Sequence, residues 1–248
     1  MTPSNQQSQI ANRQSQITCP LCLHEAAPGP VSESGARESL RCVKCGATSR
    51  NRAVALAAVN EMFVMNHETN GRRIHRRLRV FQVGLSAVTD RLRKDGNVTI
   101  SEFAPRPGCI VQDLEHLTFH TYAFDLVVCS DVLEHVRLYR TALAEMARVI
   151  QPEGSLILTV PLSSGPGHTE YCAVLDPGDP SKDVWDPTAP VHADPLDPAG
   201  CKVFRTYHAQ TLINELADLG LSAQLTEKNI PDFGIVNAVV IVARKESL

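Results

Sequence analysis

The sequence predicts an α/β protein: a mostly parallel sheet of seven strands, covered by helices on both faces, with a small cysteine module in front of it. Two observations carry this. From residue 79 onward, short apolar runs alternate with stretches of helical periodicity, the pattern of strand–helix–strand units. Ahead of them, residues 18–50 hold two Cys-x-x-Cys pairs spaced like ligands of a single ion.

The elements follow in chain order. Residues 1–17 are Gln/Ser/Asn-rich and read as a disordered tail. Residues 18–50 form the cysteine module. Residues 51–78 comprise a helix over 51–66, with an Ala/Val/Leu/Met-rich face, and a basic linker, Arg72-Arg73-Ile74-His75-Arg76-Arg77, read as a solvated connector. Residues 79–248 form the main domain. Strands are expected at 79–84, 97–103, 109–112, 124–129, 154–160, 223–227 and 235–243, and helices at 87–94, 139–150 and 208–219. Gly220 closes the last helix. Residues 163–204 are rich in Pro, Gly and Asp, and interrupt this rhythm. So long an irregular stretch in a compact domain is expected to shape a binding site.

Composition limits the partners. The chain has 248 residues and a formal net charge of −3, with 43% hydrophobic and 21% charged residues. That size allows one sizeable α/β domain plus an appendage, and the charge gives no general attraction to nucleic acid. No apolar run reaches the roughly 18–20 residues of a membrane helix, and no signal-peptide core is visible. The expectation is a cytoplasmic protein with a small-molecule substrate, no nucleic acid and no membrane; a homodimer is compatible with this reading. In a reducing compartment, paired cysteines are examined first as metal ligands.

Cys19-Pro-Leu-Cys22 and Cys42-Val-Lys-Cys45 are separated by 19 residues, the spacing of a zinc ribbon. Each pair can form a knuckle presenting two thiolates, and four thiolates close the tetrahedron of a structural Zn2+ site. Such an ion replaces the core that some thirty residues cannot build. His24 is a substitute ligand. The module also positions the segment Ser49-Arg50-Asn51-Arg52. The remaining cysteines, Cys109, Cys129, Cys172 and Cys201, have no partner in the spacing, and Cys129 reads as a core residue.

Two stretches of the main domain carry a resemblance. Phe124-Asp125-Leu126-Val127-Val128-Cys129-Ser130-Asp131-Val132-Leu133-Glu134-His135-Val136 is followed by Arg148-Val149-Ile150-Gln151-Pro152-Glu153-Gly154. Together they resemble the fourth strand, its loop and the approach to the fifth strand in class I S-adenosylmethionine-dependent methyltransferases. The resemblance covers roughly residues 79–243. It implies a Rossmann-like, doubly wound sheet and S-adenosylmethionine as cofactor. Cys42-Val43-Lys44-Cys45-Gly46-Ala47-Thr48-Ser49-Arg50-Asn51-Arg52 is similar to the run that precedes this domain in a bacterial subgroup with an N-terminal zinc motif, with Ala47 where that run has serine.

Ligands of an open parallel sheet bind beyond the carboxyl ends of its strands, where the strand order reverses. That places Glu102 to accept the ribose hydroxyls, Asp113 to accept the adenine amino group, Leu114 to cover the ring, and Ser130 and Asp131 beside the sulfonium. The glycine loop after the first strand departs from the family's G-x-G-x-G: Val83-Gly84-Leu85-Ser86-Ala87-Val88 keeps Gly84 alone. Either the site is inactive, or the loop takes another course, or Arg50 or Arg52 holds the methionine carboxylate in a bidentate contact. The last two readings are preferred.

Methyl transfer needs position, and a base where the acceptor carries a proton. His135 is the base candidate, and Tyr139 and Tyr207 are candidates for facing the sulfonium or the acceptor. The leading expectation is methylation of a small molecule in secondary metabolism. The same fold with an altered hold on methionine could instead cyclise S-adenosylmethionine to azetidine-2-carboxylate and methylthioadenosine. A third reading is a non-catalytic zinc- and cofactor-binding interaction protein.

Overall fold

The computed structural model describes residues 17–27, 38–67, 77–163, 167–193 and 197–247. The tail up to residue 16, and the basic run apart from Arg77, lie outside them. The seven expected strands are present: β1 Leu78–Val83, β2 Gly96–Glu102, β3 Ile110–Val111, β4 Phe124–Ser130, β5 Ile150–Thr159, β6 Leu221–Ile230 and β7 Ile235–Lys245. They form one sheet of order 3-2-1-4-5-7-6. β1 to β5 run parallel and β7 is antiparallel to β5 and β6. This is the doubly wound sheet of the class I methyltransferase fold.

The apolar content of each strand matches its place. Central β4 is buried along its length until Ser130, as a strand covered on both faces must be. Edge strand β6 alternates between exposed and partly covered residues. Helices α1 Ser49–His67, α2 Thr89–Asp95, α3 Tyr139–Val149 and α4 Ala209–Asp218 cover the faces. On one face Leu143, Met146, Leu212 and Leu216 pack with Phe81, Val127 and Leu156. On the other, α1 places Ala53, Val54, Ala57, Ala58 and Met62 against Leu78, Val80, Val128 and Val240. Cys19, Leu21, Cys42 and Ala47 belong to this second core, so the cysteine module shares buried apolar contact with the sheet.

Apart from shifts of one to three residues at element ends, two features differ from expectation. β5 starts at Ile150, four residues early, because its pairing with β4 is broken by a bulge between Phe124↔Ile150 and Leu126↔Ser155. Inside the bulge Glu153 takes φ +65°, a left-handed conformation that favours glycine. The next residue must be glycine for space: a Cβ on Gly154 would stand 2.7 Å from the Asp125 carbonyl. The insert at 163–204 carries more order than expected. Three two-residue ribbons brace it: Ala173–Val174 with Val184–Trp185, Val191–His192 with Cys201–Lys202, and Glu170–Tyr171 with Arg205–Thr206.

Candidate active site

The strand order reverses between β1 and β4, so the carboxyl ends of these strands flank the expected cleft. Gly84 follows β1 at φ +76°, and a side chain there would meet only Val132 Cγ2, 3.7 Å away. Its N–H donates to Ser101 O at 2.9 Å, and Gln82 Nε2 donates to its carbonyl at 2.9 Å. The next N–H, of Leu85, donates to Glu102 Oε1 at 2.9 Å. Arg106 Nη1 donates to the same oxygen at 2.8 Å. The single glycine and the carboxylate at the end of β2 are thus tied into one rim, although the other family glycines are missing.

At the end of β4, Ser130, Asp131 and Thr159 form a network. Ser130 Oγ lies 2.9 Å from Thr159 Oγ1, which donates to Asp131 Oδ1 at 2.9 Å. Asp131 adopts φ +50°, a left-handed conformation costly for a non-glycine residue. Its N–H donates to Thr159 O at 2.9 Å, which fixes the turn.

Arg50 reaches this network from the first turn of α1. Nη1 donates to Ser130 Oγ at 2.8 Å, and Nε lies 3.1 Å from Asp131 Oδ2. The same guanidinium grips Glu38 in a fork, Nε to Oε1 at 2.5 Å and Nη2 to Oε2 at 3.1 Å. Burial alone would lower the Arg50 pKa, but the Glu38 hydrogen bond and the Asp131 and Glu38 charges outweigh it and raise it. Arg52 is brought elsewhere. It is fully buried, and its Nη1 donates to Gly234 O in the β6–β7 turn at 3.0 Å. Ser49 docks the same helix start on β7, donating to Val236 O at 3.0 Å and accepting from Val236 N at 2.8 Å.

Asp113 and Leu114 follow β3. Asp113 Oδ1 accepts from Glu115 N at 2.8 Å and thereby folds its own loop. Leu114 is 6% exposed and packs in the first core. The aromatic candidates are also built into the body. Tyr207 is fully buried; its hydroxyl donates to Leu133 O at 2.9 Å and lies 3.5 Å from Arg205 Nη1. Tyr139 donates to Glu215 Oε1 at 2.9 Å, with the Arg205 guanidinium 4.5 Å from its ring centroid. Burial pushes both phenols far up, helped at Tyr139 by its hydrogen bonds to Tyr171 and Glu215.

His135 closes a short 3-10 turn, Leu133–His135, after β4. Its Nδ1 lies 2.9 Å from Lys202 O, and its Nε2 lies 3.2 Å from His192 Nδ1. His192, Lys202 and the deeply buried Arg205 all arrive from the insert or its end. Arg205 donates to Val136 O at 2.6 Å and Arg137 O at 2.8 Å, securing the loop after β4. Sequence reading missed His192: it stands alone in a Pro- and Asp-rich stretch, with no periodicity or motif spacing to mark it.

The four cysteines converge. Sulfur atoms of Cys19 and Cys45 are 3.7 Å apart, those of Cys22 and Cys42 are 3.6 Å apart, and all four lie within 4.8 Å of one another. Disulfides are far shorter. A tetrahedron with metal–sulfur bonds of about 2.3 Å needs edges near these values. Each knuckle closes the same way: Leu23 N donates to Cys19 O and Gly46 N to Cys42 O, both at 2.8 Å. Leu23 and Gly46 both adopt positive φ, 58° and 71°. Burial pushes the Cys22 thiol up and the Cys45 thiol up to about 12, whereas at Cys42 burial is outweighed by the backbone hydrogen bonds of Cys45 and Lys44, which lower the thiol to about 7. Four thiolates within 4.8 Å of one another call for a cation between them. Donor set, spacing and charge all fit Zn2+. His24 is not a member of the group. Cys129 is fully buried in β4.

Residues 61–158 match the family model described as methyltransferase domain. A 61-residue stretch is 45% identical to an uncharacterized protein of Methanocaldococcus jannaschii, covering 25% of this chain and 27% of that protein. The match therefore spans about a quarter of the relative's length. Among solved structures, S-adenosylmethionine-bound CalS10, an amino pentose methyltransferase from Micromonospora echinaspora, is similar with a TM-score of 0.51 and 16% identity. That match covers 81% of this chain and 92% of CalS10. The 1,6-didemethyltoxoflavin-N1-methyltransferase of Burkholderia thailandensis is similar over 91% of this chain and 96% of its own, at 14% identity and a TM-score of 0.44. The likeness to CalS10, at this identity, is one of fold. Among the described residues, no helix is long and apolar enough to cross a membrane. The chain has the class I methyltransferase fold, and over residues 61–158 its sequence matches the methyltransferase-domain family.

Proposed function

We propose that this protein binds S-adenosylmethionine at the carboxyl ends of β1, β2 and β4 and transfers its methyl group to a small molecule. The observation that carries this is the joining of Gly84, Leu85 and Glu102 into one rim beside the Ser130–Asp131–Thr159 network. Bound there, the cofactor supplies an electrophilic methyl group on sulfur. The chain's own residues supply position. Both described contacts of Glu102 fall on Oε1, so the ribose hydroxyls would meet Oε2. The left-handed turn at Gly84 leaves room for the backbone to approach the ligand closely.

Arg50 takes over the role of the missing glycines. Its fork on Glu38 is the geometry in which a guanidinium holds any carboxylate, and the methionine carboxylate would exchange with Glu38 there. The four cysteines hold a structural Zn2+ that fixes the start of α1, and with it Arg50, over the cleft. The closed set of thiolates leaves no coordination position for substrate, so this ion serves as scaffold. The insert forms the acceptor side of the cleft, which suits a biosynthetic enzyme acting on a small metabolite.

The test is a product assay. The protein is incubated with S-adenosylmethionine alone and with a panel of small amine, hydroxyl and carbon acceptors. S-adenosylhomocysteine formed only when an acceptor is present supports the reading. Methylthioadenosine formed without an acceptor replaces it with cyclisation, and neither product on any acceptor counts against catalysis.

A further inference from the structure

We infer that Glu134, His135 and His192 form a second metal site, for a divalent transition cation such as Zn2+, Fe2+, Co2+ or Ni2+, separate from the four-cysteine centre. His135 Nε2 and His192 Nδ1 are 3.2 Å apart. Glu134 Oε1 lies 3.9 Å from the first and 3.7 Å from the second. An ion equidistant from three atoms so spaced stands about 2.1 Å from each when it lies in their plane and slightly farther when it is lifted out of it, within the range of imidazole nitrogen and carboxylate oxygen bonds to such cations.

The orientation of His135 is that of a ligand. A carbonyl oxygen carries no proton, so the 2.9 Å contact with Lys202 O puts the proton of the neutral ring on Nδ1. The lone pair is then on Nε2, aimed at His192 and Glu134. A backbone carbonyl fixing the far nitrogen is the usual arrangement around a metal-bound imidazole. The carboxylate is fully buried and the two rings are partly exposed, with side-chain exposures of 16% for His135 and 42% for His192. The three ligands therefore form one wall, and the remaining coordination positions are open to solvent or to an oxygen or nitrogen of a substrate. Two imidazoles and one carboxylate select a borderline cation over Mg2+ or Ca2+, which take oxygen ligands.

The insert is built to complete this group. Its Val191–His192 ribbon supplies one ligand, and the paired Cys201–Lys202 strand supplies the carbonyl that orients another. Phe204 N donates to Glu134 O at 2.8 Å, which holds the third ligand's backbone to the same segment. Gly200 connects the ribbon at φ +76°, where a Cβ would stand 2.5 Å from the His192 carbonyl, so only glycine permits this closure.

The test counts ions and does not depend on methyl transfer. The full chain and the variants His135→Ala, His192→Gln and Glu134→Gln are dialysed against micromolar Zn2+ and their metal content is measured by mass spectrometry. Far-UV circular dichroism checks the fold. His192 is the most exposed ligand, and its variant is expected to fold normally. The wild type should hold one more ion per chain than each folded variant. The difference is read, not the total, so occupancy of the cysteine centre does not affect it. In the Co2+ form, the ion lost by the variants should be the one lacking thiolate charge-transfer absorption. Equal ion counts in the wild type and His192→Gln would overturn the site and reduce the pair to an ordinary His–His hydrogen bond.

Discussion

If Arg50 receives the cofactor's carboxylate, Glu38 is its competitor, and removing the competitor should tighten binding. The fork between them is two contacts, of 2.5 and 3.1 Å. The side chains are 18% and 25% exposed, between a surface pair and a buried one. Surface pairs contribute up to about 1 kcal/mol, and hydrogen bonds to charged groups about 1.5–3 kcal/mol. Taking about 1 kcal/mol for the Glu38 contact, Glu38→Gln should lower the dissociation constant for S-adenosylhomocysteine roughly fivefold. Arg50→Ala removes the receiving group and also frees Ser130 and Asp131. Losing about 1.5–3 kcal/mol there weakens binding by about one to two orders of magnitude. Calorimetric titration of the folded variants measures both. Opposite signs are the signature. A Glu38→Gln variant that binds no tighter, beside an Arg50→Ala variant that binds as well as wild type, would refute the assignment of Arg50.

Four further outcomes follow from the geometry. Tyr207→Phe strips a buried hydroxyl from the Leu133 carbonyl, so it should cost about 1–3 kcal/mol, or about 2–4 °C of melting temperature per kcal/mol; activity lost without any thermal shift would instead make Tyr207 a reacting group. Glu153→Gly relieves a left-handed residue in the β5 bulge and should stabilise by about 0.5–1 kcal/mol in thermal unfolding, whereas Gly154→Ala should destabilise through its clash with the Asp125 carbonyl. Cys42→Ser should release one Zn2+ per chain and lower the melting temperature, read by metal analysis and calorimetry, because Cys42 lies in the core shared with α1 and the sheet. Asp183, forked by Arg137 at 2.7 Å on both oxygens, is held below the usual carboxylate range by that contact. Its folded pKa is depressed, so its contribution is complete above the ordinary carboxylate pKa and fades as pH falls through the folded value. Protection factors against hydrogen exchange in the insert around residues 173–186, taken relative to the intrinsic rate at each pH, should therefore fall as the solution is acidified below about pH 4, and Asp183→Asn should show that loosening already at neutral pH.

The main domain was legible because its strands differ in the way their neighbours demand. β4 reads as an apolar run from Leu126 to Cys129 since both of its faces are covered, and edge strand β6 as an alternation since one face is not. The cysteine spacing likewise led to four sulfurs that meet. Less legible was whatever depends on contacts between distant segments. The early start of β5 follows from a bulge against β4, and no local pattern marks it. Arg50 and Arg52 look equivalent in sequence, yet two positions on a helix is about half a turn, so one faces Ser130 and the other Gly234. Tyr139 and Tyr207 are polar-tipped and near the expected cleft in sequence, but their hydroxyls point to Glu215 and the Leu133 carbonyl. His192 comes to His135 only through the pairing of two-residue ribbons far along the chain.

The central claim is that the rim of Gly84, Leu85 and Glu102, with Ser130 and Asp131, is the cofactor site. A crystal structure with S-adenosylhomocysteine bound tests it most directly. The account predicts the ribose on Glu102, the sulfur beside Ser130 and Asp131, and the amino-acid carboxylate on Arg50 with Glu38 displaced. A ligand bound elsewhere on the chain, or in this cleft with neither Glu102 nor Arg50 touching it, would contradict the account.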